Sequence, residues 1–505
     1  MGEMLDMCVM SKATTSPISA EQLAGLPPEF RALLQSVIEH YERQCDELRR
    51  QVAELKAELQ AVRKTPQNSS LPPSTGHPHA KSGGTGESGG TGESDEAVAD
   101  AKKKKKKRGG QKGHPKHERK RVPIEQCDEV VALKPTECRG CGEALRGDDP
   151  DPLRHRVWEL PQPQPIITEY QRHRLTCACC GKSTCAELPE GVPEHMSGPR
   201  LIAVTAVLMG LFRQSKSRTA LALGALFGVP CCPAWVVKQQ QRATVALMPC
   251  YNEIQAALPQ ADVVHCDETP FKQGTAKAWI WTMVAATFTL FKISLTRAAA
   301  VPIALLGRTF AGAVVTDRYA GYNAFNGRRQ VCWAHLKRDF QSLIDAGGDG
   351  ELIGNRLMSS LKEVFRLWHL YRAGRIRHDT LRKKIERDCW SQVYDTLEDG
   401  QRCSHAPTVS LCNDLFQRFD QLWLFRELPG LEPTNNRGER SLRHAVIWRK
   451  TSFGTQSESG SRFVETLLTI LETCRQQNRH PIDFLTTTLE AHATNKPTPK
   501  LLAEV

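Results

Sequence analysis

The sequence predicts a multidomain protein that mixes α+β and α/β architecture, and three observations support this prediction. Near the N-terminus, apolar residues recur every seven positions, which is typical of a coiled coil. Paired cysteines follow a segment rich in Gly, Ser, Pro and Lys, a composition that forms no packed core. Beyond residue 260, β-branched runs give way to long helical patterns, as in a sheet covered by helices. At 505 residues the chain is long enough for about three or four domains.

Residues 25–64 are predicted to form a coiled coil. Their apolar residues alternate at spacings of three and four over about four heptads, with charged residues between them. One seam consists of Leu34, Tyr41, Leu48, Leu55 and Val62, and the other of Ile38, Cys45, Val52 and Leu59. We expect self-association into a homo-oligomer, and a single amphipathic helix folded against the body is the alternative.

Residues 65–122 are predicted to be a disordered basic linker. The stretch from Lys102 to Arg121 carries twelve Lys and Arg against one Glu, in a chain whose formal net charge is +12. Charge at this density attracts the DNA phosphate backbone whatever the base sequence, and a solvated linker or localisation tag is the alternative. The candidate DNA-binding residues are Lys102, Lys103, Lys104, Lys105, Lys106, Lys107 and Arg108.

Residues 123–195 are predicted to form a zinc-binding module of the zinc-ribbon kind. Two Cys-X-X-Cys pairs with adjacent glycines can place four thiolates around one structural Zn²⁺. The predicted ligands are Cys138, Cys141, Cys177 and Cys180. The stretch between the pairs is longer than the commonest zinc-ribbon gap, and Cys179 and Cys185 compete as ligands. Unliganded buried cysteines are the alternative.

Residues 196–260 are predicted to be helical, with a turn at Gly228 and Val229 between two helices. The pattern is compatible with a DNA-binding helix-turn-helix, although many helical hairpins share it.

The chain shows no charged-then-apolar leader, and its longest apolar stretch, Leu201 to Phe212, is too short to cross a bilayer. Together with 18 cysteines and no secretory signal, this predicts a cytoplasmic protein in a reducing compartment, without a membrane partner.

Three acidic residues are candidate ligands of catalytic cations. Asp267 and Asp317 each follow a β-branched apolar run, which predicts a carboxylate where a buried strand opens into a loop. Glu439 lies in an arginine-rich segment, in the first turn of a predicted helix. Clustered carboxylates repel one another, and Mg²⁺ or Mn²⁺ neutralises such a cluster through oxygen ligands.

Each of the three acids also has a structural alternative. Asp267 and Asp317 can stabilise turns, and Glu439 can close a capping box at the start of its helix. Asp262 and Glu268 are neighbours that compete with Asp267. Because successive side chains on a strand point to opposite faces, we expect Glu268 to face away from Asp267.

Four segments resemble, in this order, the transposases of the insertion sequence 66 family: HCDETPFK, TDRYAGYN, CWAHLKRDF and NNRGERSLRHAVIWRKTSFGTQSESG. The resemblance implies a ribonuclease-H-like catalytic domain of the DDE type, in which Asp267, Asp317 and Glu439 are catalytic and hold two Mg²⁺ or Mn²⁺. It implies a bacterial, nucleoid-associated enzyme that binds the terminal inverted repeats of its element and target DNA. It also implies a zinc module ahead of the catalytic domain and accessory proteins of the same element.

The expected reaction is strand cleavage followed by strand transfer. In two-metal phosphoryl transfer, an activated water cleaves the strand and the released 3′-hydroxyl attacks target DNA, without a covalent enzyme intermediate. A zinc-containing, sequence-specific DNA-binding regulator and a decayed, non-catalytic transposase are the alternatives. Both leave the intact acidic triad without a role.

The gap between Asp317 and Glu439 is too long for one connection in a compact domain, so an inserted subdomain is expected. The predicted parts are 261–345 for the first part of the catalytic domain, 346–424 for a helical insertion, 425–490 for the second part and 491–505 for a flexible tail.

Further candidate residues surround the triad. Cys332 and His335 have the spacing of metal ligands, but one such pair supplies too few ligands for structural zinc, so a positioning role is expected. Cationic residues near Glu439 match phosphate geometry, and a surface salt-bridge network is the alternative. They are Arg437, Arg440, Arg443, Arg449 and Lys450.

The zinc prediction is testable on the fragment 123–195. We expect one Zn²⁺ per chain, and Cys138→Ser should unfold the module locally because the binding energy of a structural zinc contributes to folding. Metal content and circular dichroism of the purified fragment measure both effects. A folded fragment without zinc contradicts the prediction.

Overall fold

The computed structural model describes residues 27–62, 122–325 and 327–502. These residues fall into two compact units. The smaller unit contains residues 122–162, and the larger unit contains residues 27–62 and 163–502. The predicted basic stretch from Lys102 to Arg108 lies outside the described residues.

One long helix, α1, spans Pro28–Val62. The heptad residues Tyr41, Leu48 and Val52 are exposed on it. Exposed apolar side chains at these three heptad positions are consistent with a partner helix from a second copy. The coiled coil itself stays a prediction.

In the smaller unit, the pair Cys138 and Cys141 forms a tight turn. Gly142 adopts a φ of 76°, a left-handed conformation that favours glycine, and its N–H donates to the Cys138 carbonyl at 2.8 Å. The N–H of Gly140 points at the Cys138 sulfur at 3.4 Å and lowers the pKa of this thiol. A lowered thiol pKa favours the thiolate form that binds metal.

In the larger unit, the pair Cys177 and Cys180 connects a hairpin of strands β1, Arg174–Thr176, and β2, Ser183–Cys185. Its turn repeats the pattern of the other pair, because the N–H of Gly181, at a φ of 67°, donates to the Cys177 carbonyl at 2.9 Å. The backbone N–H of Cys180 lowers the pKa of Cys177. Zinc binding by the four cysteines stays a prediction.

Three helices precede the central sheet: α2, Pro199–Gly210, α3, Lys216–Phe227, and α4, Pro233–Ala257. The side chain of Ser215 caps α3 by accepting the N–H of Arg218 at 3.2 Å. Gly228, with a φ of 65°, ends α3. Two helices therefore flank the predicted turn, and DNA binding by this pair stays a prediction.

The central sheet has five strands in the order β5-β4-β3-β6-β7. Their bounds are Val263–Gln273 for β3, Ala276–Val284 for β4, Thr289–Ser294 for β5, Ala313–Thr316 for β6 and Arg328–Val331 for β7, and helix α5, Ala300–Leu306, lies between β5 and β6. Strand β4 pairs antiparallel with both β3 and β5, whereas β6 pairs in parallel with both β3 and β7.

A helical subdomain separates β7 from the last helices. Its helices are α6, Trp333–Ala346, α7, Gly348–Arg372, α8, His378–Ile385, α9, Ser391–Gln401, α10, Ala406–Gln417, and α11, Leu424–Glu427, with one π turn between α8 and α9. Residues 346–424, all of which the structure describes, contain no strand. Strand β6 is buried on both faces, because Ala313 and Val315 pack against this subdomain and Val314 faces the opposite core.

The last three helices are α12, Asn436–Ser452, α13, Glu458–Gln476, and α14, Pro481–Ala493. Helix α13 covers the edge strand β5, whose outward N–H groups donate to its side chains. The pairs are Thr289 with Thr473 Oγ1 at 3.2 Å, Phe291 with Thr469 Oγ1 at 2.9 Å and Ile293 with Glu465 Oε2 at 2.8 Å. Four helical residues rise about 6 Å and two strand residues rise about 6.6 Å, so every fourth residue of α13 lies opposite every second residue of β5. The sheet and its covering helices confirm the predicted mixture of α and β architecture.

The segment 491–505 was expected to be a flexible tail, and the structure describes it up to residue 502. Several of its residues are exposed, whereas the Leu501 side chain is fully buried. The N–H groups of Leu501 and Leu502 donate to the carboxylate of Glu253 on α4 at 3.0 and 3.1 Å.

Among the described residues, no helix combines the length and the apolar character needed to span a bilayer.

Candidate active site

Asp317 directly follows β6, as expected from the sequence, whereas Asp267 lies within β3, which continues to Gln273. The expectation that the strand opens into a loop at Asp267 was wrong, because β3 keeps its antiparallel pairing with β4 beyond this residue. The parallel pairing of β3 with β6 places His265 opposite Val315. Each aspartate lies two residues beyond its member of this pair. The register therefore brings both carboxylates to the same edge, where the parallel pairing ends.

The Asp267 carboxyl lies in an acidic environment. Burial raises its pKa well above the usual range, and Glu268, Asp317 and Glu439 raise it further. All of the charged groups that shift its pKa are acidic. Its Oδ1 accepts the backbone N–H of Glu268 at 2.9 Å. Three segments that are distant in sequence thus bring the predicted triad into one electrostatic neighbourhood.

The carboxylate of Glu268 accepts hydrogen bonds from its own set of side chains. Its Oε1 accepts Nε and Nη2 of Arg297 at 3.0 and 2.7 Å, and its Oε2 accepts the hydroxyl of Tyr322 at 2.5 Å. The Arg297 guanidinium also lies over the Tyr319 ring, 3.8 Å from its centroid. Burial and Asp317 raise the pKa of Glu268, and the hydrogen bonds from Tyr322 and Arg297 oppose this shift. Both Glu268 oxygens already accept hydrogen bonds, and this supports Asp267 as the catalytic acid of the two.

Backbone contacts fix the loop that holds Asp317. The N–H of Tyr319 donates to Asp317 Oδ1 at 2.9 Å. Arg329, on β7, donates from Nη2 to the Asp317 carbonyl at 2.7 Å and from Nε to Thr316 Oγ1 at 2.8 Å. Burial lowers the pKa of Arg329 to about 10. The arginine binds the main chain of this loop, so the Asp317 carboxylate is available to a ligand.

Asn435 positions Glu439. Its buried side chain donates from Nδ2 to the Cys266 carbonyl on β3 at 2.7 Å, and its backbone N–H donates to the Cys332 sulfur at 3.1 Å. Its carbonyl accepts the N–H of Glu439 at 3.1 Å. A Cβ at Gly438 would lie 2.8 Å from Asn435 Oδ1, so any larger residue there would displace the Asn435 side chain. These contacts hold the first turn of α12 beside the strand ends.

Cys332 and His335 lie beside Glu439. The donor atoms of these three residues lie within 4.8 Å of one another, the only such group of three His, Cys, Asp or Glu residues among those that the structure describes. The distance from His335 Nδ1 to Glu439 Oε1 is 3.5 Å. Burial raises the pKa of Cys332 to about 12 and lowers the pKa of His335. The sequence pattern indicated Cys332 and His335 as a pair, but it did not indicate that Glu439 joins them.

The candidate cations of α12 fall into two groups. Arg437, Arg440, Arg443 and Lys450 are exposed. Arg449 is half-buried and donates from Nη1 to Thr269 Oγ1 at 3.0 Å and to the carbonyl of the following proline at 2.6 Å, which attaches α12 to β3. Arg437 lies 3.7 Å from a carboxylate oxygen of Glu432. DNA contact by these residues stays a prediction.

Sequence reasoning missed two contributors to this site. Asn435 comes directly before a predicted helix, a position that a local cap explains equally well, so its bonds to β3 were not evident. The partners of Glu268 come from residues 29 and 54 positions along the chain. An unpaired acid next to Asp267 was the only signal that such partners were needed.

Comparison with known proteins connects this geometry to a family. The family model described as Transposase IS66 family matches residues 195–462, a range that includes the sheet, the helical subdomain and α12. An uncharacterized protein, y4qI, of Sinorhizobium fredii (strain NBRC 101917 / NGR234) is 24% identical over 426 residues, which cover 75% of each chain. A second uncharacterized protein of this organism, y4hP, is 24% identical over 394 residues, or 71% of each chain.

The role of Asn435 is testable by removing its side-chain amide. We expect Asn435→Ala to lower the free energy of unfolding by about 1–3 kcal/mol, because the carbonyl of Cys266 stays buried without its partner. Urea denaturation of the full chain measures this change. Asn436→Ala, at the exposed next position, is the matched control. Equal stability of the two variants would contradict the assignment.

Proposed function

The chain belongs to the IS66 family of transposases, and we propose that it is a DDE-type DNA transposase of a bacterial insertion sequence. It binds the terminal inverted repeats of its element and catalyses strand cleavage and strand transfer with two bound Mg²⁺ or Mn²⁺. The observation that supports this proposal best is the shared electrostatic environment of three acids from distant segments, because Asp317 and Glu439 both raise the pKa of Asp267. The donor atoms of the three acids do not all lie within 4.8 Å of one another, so bound cations would draw the carboxylates closer.

The proposed catalytic domain is ribonuclease-H-like. Its support is the topology of the sheet, in which three antiparallel strands are followed by two parallel ones on the other side of β3. Asp267 lies on the central strand β3 and Asp317 follows β6, its parallel neighbour. Glu439 comes from a helix beyond the helical subdomain.

The donor set fits hard divalent cations. Asp267, Asp317 and Glu439 offer carboxylate oxygens, the ligands that Mg²⁺ and Mn²⁺ prefer. The acidic neighbours that raise the pKa of Asp267 make a concentration of negative charge that bound cations offset. When bound, the two cations would supply an activated water and stabilise the leaving oxygen.

The protein's own contribution is to orient these ligands. The N–H of Tyr319 fixes the direction of the Asp317 carboxylate. Asn435 fixes the start of the helix that carries Glu439. Arg297 keeps Glu268 paired, so the charge of Glu268 is compensated inside the protein. Ligands held in advance lower the cost of organising the site when DNA binds.

DNA contacts are proposed on two basic surfaces. The exposed Arg440 and Arg443 lie within about one turn of Glu439 on α12, where a guanidinium can bind the phosphate next to the scissile bond. The linker residues Lys102 to Arg108 add affinity that does not depend on base sequence. A zinc module at 123–195 and a homo-oligomer formed through α1 complete the proposal.

The triad assignment predicts a loss of chemistry without a loss of binding. Asp267→Asn, Asp317→Asn and Glu439→Gln should each lower Mg²⁺-dependent cleavage of labelled element ends by about 100-fold or more, because each removes a metal ligand and keeps the shape. Affinity for the same DNA should stay within about twofold, since the basic residues that bind phosphate are unchanged. Asp262→Asn, an exposed acid ahead of β3, is the control. Normal strand transfer by any triad variant removes that residue from the triad.

The linker proposal predicts a uniform loss of affinity. Deletion of Lys102 to Arg108 removes seven positive charges, so it should weaken binding to element ends and to unrelated duplex equally and flatten the salt dependence of both. Deletion of residues 83–88, one GGTGES repeat of the same linker, is the control. Affinity measured across a salt series decides the result. A loss confined to element ends would show that the segment recognises sequence or shape.

A further inference from the structure

The side chains of Cys332, His335 and Glu439 converge beside the triad. Cys332 follows β7, His335 lies in the first turn of α6 and Glu439 in the first turn of α12. Their Sγ, ring nitrogen and carboxylate oxygen lie within 4.8 Å of one another. Donor atoms at this mutual distance need only small shifts to bind one ion at about 2.0–2.3 Å.

The Cys332 sulfur is fully buried and accepts a hydrogen bond from the start of α12. The backbone N–H of Asn435 donates to it at 3.1 Å. A thiol sulfur is a weak acceptor, and this contact is strengthened when the sulfur is a metal-bound thiolate. A thiolate in a buried position needs a cation for compensation.

The His335 ring provides an independent indication of a ligand. Its Nδ1 is buried and has no hydrogen-bond partner among the described residues. Its approach of 3.5 Å to Glu439 Oε1 does not make a hydrogen bond. A buried polar atom without a partner is costly, and a bound ion is one of the standard explanations for it.

We propose that Cys332, His335 and Glu439 bind one divalent cation of borderline softness, Zn²⁺ or Co²⁺, in addition to the Mg²⁺ of the triad. One thiolate, one imidazole and one carboxylate are zinc ligands, and three protein ligands leave a fourth position for water. Mg²⁺ selects oxygen ligands, so the cysteine and the histidine distinguish this site from the triad.

The two sites share Glu439, and to that extent the inference rests on the proposed function. The Glu439 side chain is 41% exposed and has two oxygens, so one oxygen can serve each site. The cation then connects the end of β7 to the first turn of α12. It holds Glu439 at the triad through ligands that the triad itself does not use.

The test measures metal binding by the full-length chain, without DNA or Mg²⁺. Chains purified from cells grown with Co²⁺ in place of Zn²⁺ are compared by metal content and by thiolate-to-Co²⁺ charge-transfer absorption. We expect Cys332→Ser to contain one Co²⁺ fewer per chain than wild type, with a difference spectrum of a single thiolate ligand. Cys412→Ser, a buried cysteine of α10, is the matched control and should equal wild type. Equal metal content of Cys332→Ser and wild type would overturn the proposal.

A second variant protects the test against misfolding. Glu439→Gln alters a partly exposed side chain without changing its shape, and it should weaken Co²⁺ affinity at this site by about 100-fold or more. Unchanged affinity would overturn the proposal even if Cys332→Ser fails to fold. Asp267→Asn separates the two sites, because it should keep the Co²⁺ spectrum of wild type while it loses DNA cleavage. Cleavage by Asp267→Asn would refute the triad and leave the cobalt result standing.

Discussion

Asn435 makes the buried contacts on which the candidate site depends. Its side-chain amide binds the central strand, its backbone N–H binds Cys332 at the end of β7, and its carbonyl accepts the N–H of Glu439. The whole helical subdomain separates β7 from α12 in the chain. Each hydrogen bond alone contributes about 1 kcal/mol, but one residue makes all three. Asn435 therefore positions both Cys332 and Glu439. Its loss would leave the first turn of α12 without a buried attachment to β3 at this end.

Charge balance explains why one acid is paired and its neighbour is not. Two like charges at about 5 Å repel by about 3 kcal/mol at an effective dielectric constant of 20. Hydrogen bonds from Arg297 and Tyr322 offset part of this cost for Glu268, whose pKa burial and Asp317 still raise. Asp267 has no such compensation within its electrostatic neighbourhood, where burial and three acids raise its pKa. An arrangement of this kind is stabilised when divalent cations replace the missing positive charge.

The surrounding architecture keeps the strand ends rigid. Helix α13 supplies side-chain acceptors to alternate amides of β5, which covers one edge of the sheet. On the other side, Arg318, next to Asp317, donates to Asp339 on α6 at 2.9 Å and to Asp414 on α10 at 2.7 Å. The helical subdomain, which lies between Asp317 and Glu439 in the chain, is thus attached next to Asp317.

The sequence by itself indicated the strands and helices around the acids, because periodicity and turn chemistry are local properties, but it ended β3 at Asp267, whereas the strand continues to Gln273. It also indicated Asp267, Asp317 and Glu439, and it favoured Asp267 over Glu268 through the alternation of side chains on a strand. Only the tertiary structure decided the parallel register of β3 with β6, the partners of Glu268 and the approach of Glu439 to Cys332 and His335. The contact of Leu501 and Leu502 with Glu253 was also beyond the reach of the sequence, since Glu253 lies on a distant helix. A pattern of residue types fixes what each side chain offers, whereas the partner it meets is set by packing between segments far apart in the chain.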